Sequence, residues 1–303
     1  MAEPLTMRPE GFRSGYVTLV WPPNAGKSSL LNMLLGEKIS ITSAKPQTTR
    51  NRILGIVHRT GAQMVFMDTP GVHASAKEMN RRLVAAAITT LAEADLIVLI
   101  VDMTARDADA ENLLLQHLPS TRTPVILALN KTDQADRESI LAAIAEWSAR
   151  LDFCDIIPIS ALKGSQIDDL LGAMERQLPL GPPFFPEDTL TDQPVRFLAA
   201  ELIREKVFRL TGEEIPYAVA VTVDDFAEDP PKNRVRIHAT IHVERDSQKG
   251  IVIGKGGAKL KEIGTAARSD IERLLGARVF LKLFVRVQKN WTRDTKSLRR
   301  FGY

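Results

Sequence analysis

Two rhythms of apolar and polar residues run along this chain. Over roughly the first 180 positions, short continuous apolar runs alternate with longer stretches of helical spacing. "YVTLV" (16–20), "AQMVFMD" (62–68), "ADLIVLIVD" (94–102), "PVILALN" (124–130) and "DIIPIS" (155–160) read as strands. Runs apolar on both faces suit a parallel sheet covered by helices on each side. "SSLLNMLLG", "NRRLVAAAITTLAEA", "AENLLLQHL" and "RESILAAIAEWSARL" supply those helices. The pattern predicts an α/β fold, a doubly wound and mostly parallel sheet with its ligand site outside the C-terminal strand ends.

The rhythm breaks at "LPLGPPFFPEDTLTDQP" (178–194), whose five prolines read as an ordered connector. Beyond it the pattern predicts a helix at about 195–211, strands at 216–225 and 233–245, a short helix, a helix at about 258–275 and a strand at 279–288. "DDFAEDPPKN" is expected to form an exposed acidic hairpin loop between the first two of these strands. The expected organisation is a nucleotide-type α/β domain over 14–181, a linker over 182–195 and an α+β domain with a basic tail over 196–303. A length of 303 residues accommodates two domains of ordinary size.

Composition narrows the class. One cysteine, Cys154, excludes an internal disulfide framework and is expected to be a small buried hydrophobe. The opening "MAEPLTMRPEGFRSG" has no apolar segment of a secretory leader. The longest apolar run, "LIVLIV" (96–101), is far short of the ~20 residues of a membrane span, so a cytoplasmic protein is expected. Net charge is only +3, yet residues 249–303 hold 14 basic against 4 acidic side chains, while residues 1–195 hold 18 against 23. A basic C-terminal third on a mildly acidic body points to a polyanionic partner.

Four strand ends carry the chemistry of a phosphate-transfer site. After "YVTLV" comes "WPPNAGKSS", in which Trp21, Pro22, Pro23, Asn24, Ala25, Gly26, Lys27, Ser28 and Ser29 stand where a phosphate-binding loop belongs. Backbone N–H groups of such a loop cradle phosphate oxygens at a helix N-terminus; Lys27 offers a cation to the β- and γ-phosphates and Ser28 a hydroxyl to Mg²⁺. After "AQMVFM" come Asp68, Thr69, Pro70 and Gly71, a carboxylate for the metal's water shell and a glycine for close approach to the γ-phosphate. After "PVILAL" come Asn130, Lys131, Thr132 and Asp133. An aspartate there accepts from both N1–H and the 2-amino group of guanine, which adenine lacks, so GTP/GDP is expected over ATP. Ser160, Ala161 and Leu162 at the last strand would close over the base. Val72, just after Gly71, cannot orient water as a glutamine does in Ras-type enzymes, and His73 reads as a solvated loop residue. Catalysis would rest on positioning and charge neutralisation, by Lys27, Mg²⁺ and backbone donors.

In the second half, Gly254-Lys255-Gly256-Gly257 lies between two helical segments. A G-x-x-G loop clamps about four single-stranded nucleotides in KH domains. Here it follows two strands and precedes a basic helix with Leu260, Ile263 and Ile271 on its apolar face, and α-β-β-α-α-β is the order of the type II KH fold. Lys255, Lys259 and Lys261 supply charge at the clamp; Arg286, Lys289, Arg293, Arg299 and Arg300 crowd the tail. His238 and His242 alternate with Val235, Ile237, Ala239, Ile241 and Val243, which makes the segment a strand. The two imidazoles then lie roughly 13 Å apart, too far to share a metal. Trp291 is expected either to stack on a base or to pack on the final strand.

"KISITSAKPQTTRNRILG" (38–55) together with "VIGKGGAKLKEIG" resembles the Era family of bacterial GTPases, from about residue 14 to 303. The resemblance makes "PQTTR" the first switch, with Thr48 and Thr49 as sensors of γ-phosphate and Mg²⁺. Thr49 joins Lys27 and Gly71 as the expected catalytic set, and Ser28, Thr49 and Asp68 as the expected Mg²⁺ set. It implies slow intrinsic hydrolysis aided by K⁺ at Asn24, and binding near the 3′ end of 16S ribosomal RNA in assembly of the small ribosomal subunit. A monomer is expected, with peripheral association at the inner face of the cell membrane as a secondary trait of the basic tail. One departure stands out: where the family has Gly-Arg-Pro-Asn at 21–24, this chain has Trp-Pro-Pro-Asn. Glycine tolerates backbone angles that a residue with a Cβ does not, and Pro22 restricts Trp21 toward extended geometry. The architecture is expected to survive with weakened or altered nucleotide handling; the alternative is a non-enzymatic KH RNA-binding scaffold whose nucleotide site Trp21 has impaired.

Overall fold

The computed structural model describes residues 11–20, 25–39, 53–68, 93–106, 108–118, 122–211, 215, 219–291, 294 and 301. They fall into two units, one of Met1–Gly36 with Arg52–Asp192 and one of Glu37–Asn51 with Gln193–Tyr303. The first holds β1 (Arg13–Val20), α1 (Lys27–Leu35), β2 (Ile53–His58), β3 (Ala62–Asp68), β4 (Leu96–Asp102), α2 (Ala108–His117), β5 (Val125–Asn130), α3 (Arg137–Ser148), β6 (Asp155–Pro158) and α4 (Ile167–Gln177). The expected helix "NRRLVAAAITTLAEA" lies outside the described residues.

The six strands form one sheet in the order β2-β3-β1-β4-β5-β6. β2 runs antiparallel to β3, and every other neighbouring pair is parallel. All residues of β4 and β5 are buried, as their continuous apolar runs require. The chain leaves β1 between β3 and β4, the point where strand order reverses, so the loop before α1 opens into the crevice where such sheets bind ligands. β2 is an addition to the sequence expectation. Its "ILGIVH" carries a central glycine that weakens strand propensity, and pairing with β3 overrides that weakness.

The proline-rich connector is ordered, and its first part is stitched to this unit. Phe184 stacks on Tyr16 at 5.2 Å, and the Gln63 amide accepts from Phe184 N and Phe185 N while donating to the Phe185 carbonyl at 2.7 Å. Ile56 N donates to the Leu190 carbonyl at 2.9 Å, Leu54 N to Asp192 Oδ1 at 3.0 Å, and His58 Nε2 meets the Thr189 carbonyl at 2.8 Å. The segment thereby covers the outer edge of β2, which would otherwise present unpaired backbone groups. Cys154 corrects an expectation: it is exposed. Its neighbour Phe153 takes the apolar contact instead, edge-on to buried Trp147 at 6.2 Å.

The second unit holds α5 (Val195–Leu210), β7 (Ala220–Asp229), β8 (Arg234–Val243), α6 (Asp246–Ile253), α7 (Ala258–Leu275) and β9 (Arg278–Val287). Its sheet has the order β7-β8-β9, with β7–β8 antiparallel and β8–β9 parallel. Val235, Ile237, Ala239, Ile241 and Val243 of β8 face a core shared with Leu202 and Ile203 of α5, Val252 of α6, and Ile263, Ala267 and Ile271 of α7. The expected acidic loop is largely strand. β7 runs through Asp229, with a bulge between Val223 and Asp225, and the reversal is a short turn at Pro230–Lys232 closed by left-handed Asn233. Diagonal cross-strand pairs such as Asp225 and Arg236, 3.1 Å apart, let acidic residues sit on a solvated strand face. Trp291 is buried with Phe301 and Ala220, so it has a packing role, with Ala220 at the start of β7 as partner where the final strand was expected.

Lys38 bridges Glu205 at 2.8 Å and Asp270 at 2.7 Å, and Lys206 also pairs with Asp270. Burial pushes the Asp270 carboxyl up, but Lys206 and Lys38 outweigh it and hold the group below the usual carboxylate range. Among the described residues, no helix is long and apolar enough to cross a membrane.

Candidate nucleotide site and RNA clamp

α1 begins at Lys27, directly after Gly26, whose φ of 96° lies in the left-handed region. A Cβ there would stand 2.6 Å from Asn130 Nδ2, so the loop leaves space for one specific side chain. Asn130 ends β5 and is buried. Its Nδ2 donates to the Ala25 carbonyl at 2.8 Å, and its Oδ1 accepts from Ala161 N at 3.0 Å. One side chain thus ties the loop after β1 to the loop after β6 through two buried backbone groups. Sequence reasoning placed Asn130 as a ligand-binding residue; the structure adds that its amide braces the walls of the site, which takes one of its two N–H donors.

Lys27 is almost fully buried at the first turn of α1, and burial alone lowers its ammonium pKa well below the ordinary value. A cation held in such a place favours an anion beside it, and a helix N-terminus favours one too. Ser28 and Ser29 are half-buried on the same turn.

Lys131 adopts a left-handed conformation, φ 68°, and its ammonium pairs with the Asp102 carboxylate. Asp102 also accepts from Thr104 N at 2.8 Å and Thr104 Oγ1 at 2.7 Å. Burial raises the Asp102 pKa, but the bonds from Lys131 and Thr104 prevail and keep it below the usual range. Sequence reasoning missed Asp102. The available signal was its place at the end of β4, in register with Asn130 at the end of β5. Thr132 anchors the loop through N and Oγ1 to the Ile159 carbonyl, at 3.2 and 2.9 Å. Asp133 is exposed and accepts from Ser160 Oγ at 2.6 Å, while Ser160 Oγ accepts from Lys163 N at 3.1 Å. Ala161 is buried and Leu162 is 70% exposed.

The structure therefore gathers Ala25–Ser29, Asn130–Asp133 and Ser160–Leu162 at one end of the sheet. Trp21–Asn24, Thr48, Thr49, Thr69, Pro70, Gly71, Val72 and His73 lie outside the described residues; for Asp68 only the strand end is described.

In the second unit, Gly254, Gly256 and Gly257 have φ of 70°, 60° and 82°, a sequence of backbone angles that L side chains rarely adopt. A Cβ at Gly254 would meet Lys259 Cβ at 2.7 Å, whereas the space above Gly256 and Gly257 is open. The loop so formed sits at the start of α7. Lys255 and Lys261 are exposed, and Lys259 pairs with Glu262 at 2.8 Å. His238 and His242 both lie on β8, and no cluster of metal-binding side chains occurs among the described residues.

Residues 16–131 match the family described as a 50S ribosome-binding GTPase, and residues 214–292 match the KH domain. Over 292 residues the chain is 51% identical to GTPase Era of Geobacter metallireducens, covering 96% of this chain and 98% of that one. This chain belongs to the Era family of GTPases. GTPase Era of Geotalea uraniireducens is 50% identical, with 98% and 100% covered. Among solved structures, an Era variant of Aquifex aeolicus bound to GDP and aluminium fluoride superposes with a TM-score of 0.86 at 40% identity, covering 96% of this chain and 99% of that one. An Era complex with MgGDPNP and nucleotides 1506–1542 of 16S ribosomal RNA superposes at 0.85, also at 40% identity and with the same coverage. Membership of the Era family makes the chain a GTPase with a P-loop sheet domain followed by a KH domain. The scaffold reading without enzymatic activity is not favoured.

Proposed function

We propose that this chain is a GTP-switched RNA-binding protein that engages the 3′ region of 16S ribosomal RNA and assists assembly of the small ribosomal subunit, working as a cytoplasmic monomer. The observation that carries the reading is the Asn130 brace, which holds the phosphate loop and the base loops in one rigid mouth. Within that mouth Lys27 neutralises the β- and γ-phosphates, and backbone N–H groups of 24–28 donate to phosphate oxygens. Asp133 takes the guanine N1–H and 2-amino group, oriented by Ser160. The Ala161 and Leu162 backbone closes over the base.

The donor set fits a hard divalent cation: Ser28 Oγ sits at the second residue of α1, and Asp68 ends the neighbouring β3. Ser28, Thr48 or Thr49, and the Asp68 water shell would hold Mg²⁺, which supplies charge neutralisation at the phosphates. Thr49 and Gly71 are the proposed γ-phosphate sensors, and Asn24 the proposed K⁺ ligand. Ordering of these loops by GTP would change how the KH domain meets RNA.

At the clamp, Gly254–Gly257 would grip the RNA backbone with Lys255, Lys259 and Lys261 beside it. Ile251, 49% exposed at the end of α6, offers an apolar rest for a base. A peripheral contact with anionic membranes through the basic tail is a secondary trait, read by cosedimentation with phosphatidylglycerol vesicles.

Titration of GTP and ATP against the unaltered chain and Trp21→Gly tests the proposal. Micromolar GTP binding without ATP binding is expected in both, tighter in Trp21→Gly. Absence of GTP binding by the unaltered chain, with recovery in Trp21→Gly, would overturn the switch and restore the scaffold reading.

A further inference from the structure

The sheet of the second unit has two unlike faces. All three helices cover the face that carries Ile237, Ala239 and Ile241. On the other face, register sets Arg236 beside Phe280, His238 beside Lys282, and Thr240 beside Phe284, with Arg286 following. One end of this outer face is closed, because Trp291 and Phe301 pack there against Ala220 and His242. The rest is open: Phe280 is 63% and Phe284 45% exposed. Two phenylalanines at that exposure on one strand face, with Lys282 between them, are unusual for a surface that meets only water.

Their surroundings identify the partner's chemistry. Lys282 Nζ lies 5.1 Å from the Phe284 ring centroid, and the His238 ring stands edge-on to both phenylalanines at 6.5 Å. Lys282 and Arg286 are exposed and form no ion pair among the described residues. Exposed rings interleaved with uncompensated cations match a polyanion that carries flat apolar groups, which is the composition of an unpaired nucleic-acid strand. An apolar protein surface would leave those cations desolvated. A duplex would keep its base faces stacked inside. The two rings lie four residues apart on one strand, roughly 13 Å, far beyond the ~3.4 Å rise of stacked bases. Each ring therefore takes its own base, with the strand extended between them.

We propose that the outer face of β8 and β9 is a second single-stranded RNA contact, in which Phe280 and Phe284 each stack on an unpaired base while Lys282 and Arg286 meet the phosphates. It lies on the opposite side of the sheet from the helical layer that carries the Gly254–Gly257 clamp, so it engages a different stretch of the same RNA. The inference rests on the reading that this chain binds single-stranded RNA.

The test compares the full unaltered chain with Phe280→Ala/Phe284→Ala and, separately, with Lys255→Asp/Gly256→Asp. Both phenylalanines are exposed, so the first variant keeps its core, which circular dichroism checks. Fluorescence anisotropy reads binding of a strand of about 25 nucleotides with the 16S 3′-terminal sequence, a strand of about six nucleotides, and a hairpin duplex. The phenylalanine variant is expected to bind the long strand at least about tenfold more weakly, with the short strand and the duplex unchanged. Lys282→Gln should lower the salt slope for the long strand by about one. Unchanged long-strand affinity in the phenylalanine variant, with loss in the clamp variant, would overturn this inference alone. Unchanged affinity in both variants would overturn RNA binding by the KH domain as well. Loss of self-association in sedimentation, with RNA affinity retained, would reassign the patch to a protein contact and also overturn it.

Discussion

Replacing Asn130 with alanine tests the brace directly. The side chain is 2% exposed and makes two hydrogen bonds, to the Ala25 carbonyl and from Ala161 N. Alanine leaves both backbone groups buried, since Ala25 and Ala161 are 0% and 4% exposed. Each stranded group costs about 1–3 kcal/mol, so the first unit should lose about 2–6 kcal/mol of the 5–15 kcal/mol typical of a domain. With a urea slope of about 2 kcal/mol/M, the midpoint should fall by about 1–3 M. Fluorescence in a Trp291→Phe background isolates the first unit, because Trp21 and Trp147 both belong to it. The same variant should weaken GDP binding at least about tenfold, since the loop loses its fixed distance from the base pocket. A midpoint within about 0.3 M of the parent, together with GDP affinity within about twofold, would refute the brace.

Gly26→Ala should cost at least about 2 kcal/mol, from its φ of 96° and a Cβ placed 2.6 Å from Asn130 Nδ2; in the Asn130→Ala background the steric part disappears, so a thermodynamic cycle should show coupling. Burial lowers the Lys27 pKa, and phosphate favours the charged form, so nucleotide binding should take up a proton above that lowered value. GDP affinity should then fall as pH rises above that lowered value, with buffer-dependent calorimetric heats; a flat profile would contradict it. For Asp270, whose folded pKa is depressed, the stabilisation is present above the unfolded carboxylate value and disappears as pH falls through the folded one. Asp270→Asn should therefore flatten the acid limb of the second unit's stability below about pH 4, measured by Trp291 fluorescence in urea.

Much of the architecture was legible because burial imposes long, unambiguous patterns. β4 and β5 are apolar throughout since both faces are covered, and α7 ends where its apolar stripe gives way to Gly276. β2 was missed because its pairing with β3 and its cover by residues 189–192 are tertiary facts that six residues cannot carry. The acidic loop was misjudged because Asp and Glu signal turns in isolation, yet on β7 Asp229 sits opposite Arg234 and Asp225 pairs with Arg236. Within the site, motif spacing located Lys27, Asn130, Asp133 and Ser160. It did not reveal that Asn130 also ties Ala25 to Ala161, or that Asp102 neutralises Lys131. Those roles depend on which strand ends are neighbours, and strand order is not written locally in the chain.

The account stands on a working GTP site whose loop begins with Trp21. Multiple-turnover GTP hydrolysis by the unaltered chain, with Mg²⁺ and with K⁺ or Na⁺, measures this most directly when the 16S 3′-terminal strand is added or withheld. Slow phosphate release from GTP and none from ATP, faster in K⁺ and lost in Lys27→Ala, is the predicted result. Tight RNA binding accompanied by no phosphate release from GTP under any of these conditions would contradict it.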